Sequence, residues 1–66
     1  MTIRVNGEER EVEDGLTVTG LLDSLGFQAK GTVVERNGDI LDRAAYAETA
    51  LEQGDTLELV RFVGGG

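Results

Sequence analysis

The 66-residue chain contains no cysteine and no histidine. Without cysteine there is neither a disulfide framework nor a thiolate metal site. Without histidine the commonest metal ligand and the usual general base are missing as well. Together these absences exclude Ser-His-Asp and Cys-His catalysis, zinc hydrolysis and redox thiol chemistry. Ser24 is the only serine; it falls in a predicted helix and has no base to activate it. No apolar run approaches membrane-spanning length, and Met1-Thr2-Ile3-Arg4 does not open a signal peptide. A cytoplasmic location is the resulting expectation.

Positive charge is also scarce. Thirteen acidic residues face six basic ones, for a net charge of −7, and Lys30 is the only lysine. That balance argues against nucleic acid, whose phosphates reward Lys and Arg, and against an anionic membrane surface. It suits a basic protein partner, through steering and orientation. Carboxylate pairs could in principle do acid/base work. In a single small domain without room for a cleft they read as a solvated acidic surface, and the chain is not expected to be an enzyme by itself. Ordering each residue costs about 1.5 kcal/mol, so so small a core leaves a narrow stability margin.

Thr2-Ile3-Arg4-Val5 alternates as a half-buried strand, with Ile3 and Val5 inward. Asn6-Gly7 predicts a type I′ hairpin turn, and Glu8 to Val12 the returning strand, polar enough for an edge. From Thr17 the period changes. Val18, Leu21, Leu22 and Leu25 form one apolar stripe of a helix, with Thr17 as N-cap and Gly26 as the left-handed residue that ends it. Gly20 within that helix costs about 1 kcal/mol relative to Ala, which close packing of helix on sheet would explain. Phe27 is expected in the core. Gln28 to Gly31 is a loop.

Thr32 to Arg36 predicts a third strand, Asn37-Gly38 a second hairpin turn and Asp39 to Leu41 a short fourth strand. Asp42 to Ala50 has room for one helical turn, with Tyr46 half-buried. Thr56 to Val63 is the last strand. Two strands, a helix, two short strands and a final strand give the order of an α+β, β-grasp (ubiquitin-like) fold: a mixed sheet of four to five strands wrapped on one main helix. The last strand is expected beside the first.

In that strand Leu57 and Leu59 have the parity of an inward face, while Val60 and Phe62 fall on the opposite one. Scattered surface hydrophobes are common and need no cause. Just before the end of a chain, the same pair also suits a docking patch. The chain closes on Val63-Gly64-Gly65-Gly66. Frayed ends are often glycine-rich, but here no polar spacer separates the strand from the glycines. The division expected is a β-grasp domain over 1–63 and a flexible tail over 64–66. Glycine lacks Cβ, threads a narrow channel and leaves the terminal carbonyl open to a nucleophile. A carboxylate must first be activated, for example as a mixed anhydride with AMP. The chain has no phosphate-binding Gly-Lys loop for that step, so an external ATP-using enzyme would perform it.

These pieces (Asn6-Gly7, Thr17-Val18 with Leu21-Leu22, Val34-Glu35-Arg36-Asn37-Gly38, Gly54-Asp55 and the ending Val60 to Gly66) together resemble the bacterial ubiquitin-like sulfur carriers, nearest to their thiamine-biosynthesis branch. The resemblance spans essentially the whole chain. It implies that a ubiquitin-activating-type adenylating enzyme uses ATP and Mg to form an acyl-adenylate on Gly66. A sulfur donor such as a cysteine desulfurase would convert this to a thiocarboxylate, and thiazole synthase would accept the sulfur. By position Gly65 and Gly66 match the family's terminal pair, Gly64 and Gly65 would thread the partner's channel, and Val60, Phe62 and Val63 would contact the partner. The carrier would hold no cofactor or metal of its own and be monomeric when free. The molybdopterin-synthase small subunit shares fold and tail but usually has prolines before its glycines; this chain has none. Asp42-Arg43 stands where many thiamine-branch carriers have Pro-Arg. Other readings are a carrier for molybdopterin or another metabolite, a protein modifier conjugated through Gly66, and a passive binding domain.

Overall fold

The computed structural model describes residues 1–62. Strand β1 (Thr2–Val5) pairs antiparallel with β2 (Glu8–Glu11) through the Asn6-Gly7 turn. Asn6 and Gly7 have φ of 50° and 83°, the two positive values that a type I′ turn requires. Helix α1 (Val18–Leu25) follows. A second hairpin joins β3 (Thr32–Arg36) to β4 (Asp39–Ile40) through Asn37-Gly38, again with both φ positive. After a single 3₁₀ turn at Arg43–Ala45, β5 (Thr56–Arg61) completes the sheet. The strand order is β2-β1-β5-β3-β4, with β5 parallel to β1 and antiparallel to β3. This is the β-grasp fold expected, with five strands. β2 is an edge and is exposed along its whole length, as its polar sequence requires. The last strand is central, beside the first.

Thr17 caps α1, its hydroxyl accepting from the Gly20 N–H at 3.1 Å; such a cap is worth about 1 kcal/mol. Gly26 ends the helix in the left-handed region, at φ 77°. The stripe Val18, Leu21 and Leu22 is buried against Ile3, Val34 and Leu57. Full burial of each such side chain is worth about 1.5–3 kcal/mol, so six of them dominate the stability of so small a domain. Leu25 lies half-buried at the margin.

Three expectations need correction. Tyr46 is buried rather than half-buried, 3 % exposed, because the segment after β4 folds across the helix and the sheet end. Its hydroxyl donates to the Thr32 carbonyl at 2.8 Å, which satisfies the one polar atom that burial would strand. Phe27 is half-buried at the edge of the core, its outer face covered by the Arg61 guanidinium 4.2 Å from the ring centroid. Gly20 does not mark an approach of helix to sheet. A Cβ there would meet Leu16 Cδ1 at 2.7 Å and Thr17 Oγ1 at 3.4 Å, so the tight neighbour is the strap leading into the helix.

The segment 42–51 also completes the helix start. The Val18 N–H donates to the Thr49 carbonyl at 3.0 Å and the Thr19 N–H to the Tyr46 carbonyl at 3.2 Å. These are N–H groups of the first turn, which no helix can satisfy internally. Asp55 anchors the other end of that segment to the sheet. Its buried carboxylate accepts from Arg36 Nε and Asn37 Nδ2, each at 3.0 Å, and from the Glu52 N–H at 2.8 Å. Burial by itself would push this carboxyl's pKa up. The Asn37 amide, the Glu52 N–H and the Arg36 guanidinium outweigh that and hold it below the ordinary aspartate value.

Candidate functional site

The site is built where β5 leaves the sheet. Its register with β1 begins at Arg4↔Thr56 and Val5↔Leu57, and β1 then turns into the hairpin. One residue further the Asn6 side chain takes over the pairing. Its Oδ1 accepts from the Leu59 N–H at 2.7 Å and its Nδ2 donates to the Leu59 carbonyl at 3.4 Å. Beyond Leu59 the strand continues past the hairpin, held on its other side by β3 through Val33↔Val60 and Thr32↔Arg61. The Phe62 N–H still donates to the Gly31 carbonyl at 2.9 Å. So the last described residues run past the first hairpin, paired on one side only.

Alternation along this projection places Leu57 and Leu59 inside and Val60 and Phe62 outside. Val60 is 54 % and Phe62 65 % exposed, and they have apolar neighbours on the same face, which scattered surface hydrophobes lack. Half-buried Val33 lies directly opposite Val60. Ile40, 74 % exposed, stands on the same face, opposite Glu35. Phe62, Val33, Ile40 and Leu41 line an open groove of about 780 Å³ with Arg43 and Ala44 on its far wall. The outer face is therefore apolar towards the outgoing end of β5. In the other direction it becomes acidic, with Glu35 and Glu58 opposite one another and Glu9 and Glu11 on the edge.

Val60 and Phe62 thus stand together on one surface. Val63, Gly64, Gly65 and Gly66, the other residues singled out from the sequence, lie outside the described residues, as does the domain boundary at 63/64. Strand β5 itself ends at Arg61 rather than at Val63. Ser24 donates to the Leu21 carbonyl at 2.8 Å within its helix, an ordinary side-chain-to-backbone contact. Among the described residues no three acidic side chains are grouped so as to hold a metal ion. None of the described helices is long and apolar enough to cross a membrane. Sequence reasoning missed two residues beside the strand end, Arg61 and Lys30. The parity of Arg61, which sets it on the helix side of the sheet next to Phe27, was the available signal.

The sequence model of the ThiS family matches residues 3–66. The chain is 37 % identical over 65 residues to the sulfur carrier protein ThiS of Bacillus subtilis, covering 97 % of this chain and 98 % of that protein. It is 44 % identical over all 66 residues to a thiazole synthase of Paramagnetospirillum magneticum. The chain spans a fifth of the length of the thiazole synthases it matches. Among solved structures, the crystal structure of the thiamine biosynthesis protein ThiS from Geobacter metallireducens superposes over the full length of both chains. The TM-score is 0.84 at 40 % sequence identity.

Proposed function

The chain belongs to the ThiS family, and from that premise we propose that it carries sulfur for the thiazole of thiamine on the carboxylate of Gly66. The observation that supports this most strongly is the match to a sulfur carrier along 98 % of that protein's length. The family model matches through residue 66, so the similarity includes the glycine ending and not only the scaffold.

The steps follow from what a carboxylate can do. A ubiquitin-activating-type enzyme binds the carrier by Val60, Phe62 and Val63 and takes Gly64 and Gly65 into a channel too narrow for side chains. There the Gly66 carboxylate oxygen attacks the α-phosphorus of Mg-bound ATP and pyrophosphate leaves. The resulting acyl-adenylate has an electron-poor carbonyl carbon and a good leaving group. The terminal sulfur of a persulfide from a cysteine desulfurase or a related donor attacks that carbon and AMP departs; a thiol then cleaves the S–S bond of the acyl disulfide, forming a new disulfide with the donor sulfur and releasing the thiocarboxylate. One oxygen of the acid has then been replaced by sulfur. Thiazole synthase accepts the sulfur, and the carboxylate is regenerated. That a similar segment occurs within proteins named thiazole synthase supports this enzyme as the acceptor. ATP and Mg are substrates of the activating partner, and the carrier holds no cofactor itself.

Tail length tests this function. Deleting Gly66, or adding one residue after it, should abolish sulfur loading and leave the melting temperature unchanged, because chain ends contribute little to stability. Normal loading of the extended chain would contradict the mechanism.

A further inference from the structure

The chain carries only six basic residues against thirteen acidic ones, yet two of the six share one cleft beside the outgoing strand. Lys30, from the loop between α1 and β3, and Arg61, the last residue of β5, line a depression of about 280 Å³. Gly26, Gln28, Gly31, Thr32 and Phe62 complete its wall, and among the described residues no acidic side chain lines it. Both cations are exposed, and neither makes an ion pair among the described residues. Arg36, by contrast, is taken up by Asp55 and Glu52, and Arg10 reaches Glu8 at 3.9 Å. Arg61 is also held in place: its guanidinium lies over the Phe27 ring at 4.2 Å, a contact that orients the charge without neutralising it. Phe62 belongs both to this cleft and to the apolar groove on the other side of the strand. The outgoing end of β5 therefore divides two unlike surfaces, one apolar and one cationic.

We propose that Lys30 and Arg61 form a second docking surface, which receives carboxylate side chains of the activating enzyme at the mouth of the channel that takes the tail. Charge complementarity names the occupant. A partner suited to a −7 chain is basic over most of its face, and a local cationic cleft then demands a local acidic patch on that partner. An apolar patch and a cationic patch flanking one aromatic residue fix rotation about the tail, which an apolar contact alone leaves free. A phosphate of the nucleotide is the competing occupant. The adenylate forms on Gly66, four residues beyond Phe62, which puts it up to about 13 Å away along the chain. An effect on the KM for ATP alone would mark the nucleotide as the occupant, and an effect on the KM for the carrier marks the rim of the channel.

This surface rests on the carrier function proposed above, and sulfur loading with the purified activating enzyme, ATP and a sulfur donor separates the two. Lys30→Glu should raise the KM for the carrier by about three- to tenfold with kcat unchanged, since rim charges act on encounter and orientation. Lys30→Arg should restore the wild-type value. Arg61→Glu should act in the same direction, and Lys30→Glu covers the case in which loss of the Phe27 contact disturbs folding. Arg10→Glu alters the net charge by the same amount on the distant β2 edge and should leave KM unchanged within twofold. An equal rise in KM for Arg10→Glu and Lys30→Glu would overturn the proposal, because net charge would then explain the effect. So would no change for Lys30→Glu, or a change confined to the KM for ATP. Failure of the wild-type chain to load at all would instead overturn the carrier function, and this surface with it.

Discussion

Replacing Asp55 with alanine removes one acceptor from three donors at once: Arg36 Nε, Asn37 Nδ2 and the Glu52 N–H. Hydrogen bonds to a charged group contribute about 1.5–3 kcal/mol each, but the three do not sum here. Arg36 is 24 % exposed and keeps Glu52 at 3.6 Å, and Asn37 is exposed enough to turn its amide to water. The net loss should be about 2–3 kcal/mol, a large part of the roughly 3–10 kcal/mol expected for a domain of this size. For such a domain that is a fall in melting temperature of about 10–20 °C, readable by circular dichroism at pH 7.

The pH dependence gives a second check. The folded pKa of Asp55 is depressed, so its stabilisation is complete above the unfolded value near ~3.9 and is lost as pH falls through the folded one. The gap in melting temperature between wild type and Asp55→Ala should narrow steadily below about pH 4. A gap under about 2 °C at pH 7, or one undiminished in acid, would refute the idea that this carboxylate ties β5 to the second hairpin.

Phe62→Asp should shift stability by no more than about 0.5 kcal/mol, because the side chain is exposed, while raising the KM for sulfur loading at least about tenfold. Collapse of the fold would show that the side chain faces inward. Asn6→Ala removes both side-chain bonds to Leu59 and should cost about 1–2 kcal/mol, with faster hydrogen exchange at the Leu59 N–H but not at Leu57. Gly20→Ala should gain less than the ~1 kcal/mol that helix propensity offers, because Leu16 must give way, and should recover that gain in a Leu16→Ala background. Equal effects in both backgrounds would remove Leu16 as the cause.

What the sequence disclosed was whatever local chemistry dictates. Two Asn-Gly pairs can hardly be read other than as turns with positive φ, and the Val18, Leu21, Leu22 stripe has only one helical face to bury. The strict period of a strand likewise set Val60 and Phe62 against Leu57 and Leu59, and the exposures follow that parity. What stayed hidden depends on segments meeting across the fold. Tyr46 is buried because residues 42–51 pass over the helix start, which no spacing in the segment announces. Asp55 reads as one more turn residue until Arg36 and Asn37 arrive from the neighbouring hairpin. Phe27 looked like core by hydrophobicity alone, yet its place beneath Arg61 needed the last strand to lie where it does. Asn6 shows both limits together: the turn was legible, and its second role as a substitute for backbone pairing with Leu59 was not.

The mass of the intact protein, before and after incubation with the activating enzyme, Mg-ATP and a sulfur donor, tests sulfur carriage most directly. The account predicts a mass ending at Gly66 before incubation and a gain of about 16 Da after it, the replacement of one oxygen by sulfur, localised by fragmentation to the final glycine. An unchanged mass, a gain placed elsewhere in the chain, or a mature polypeptide that continues past Gly66 and is never trimmed would contradict it.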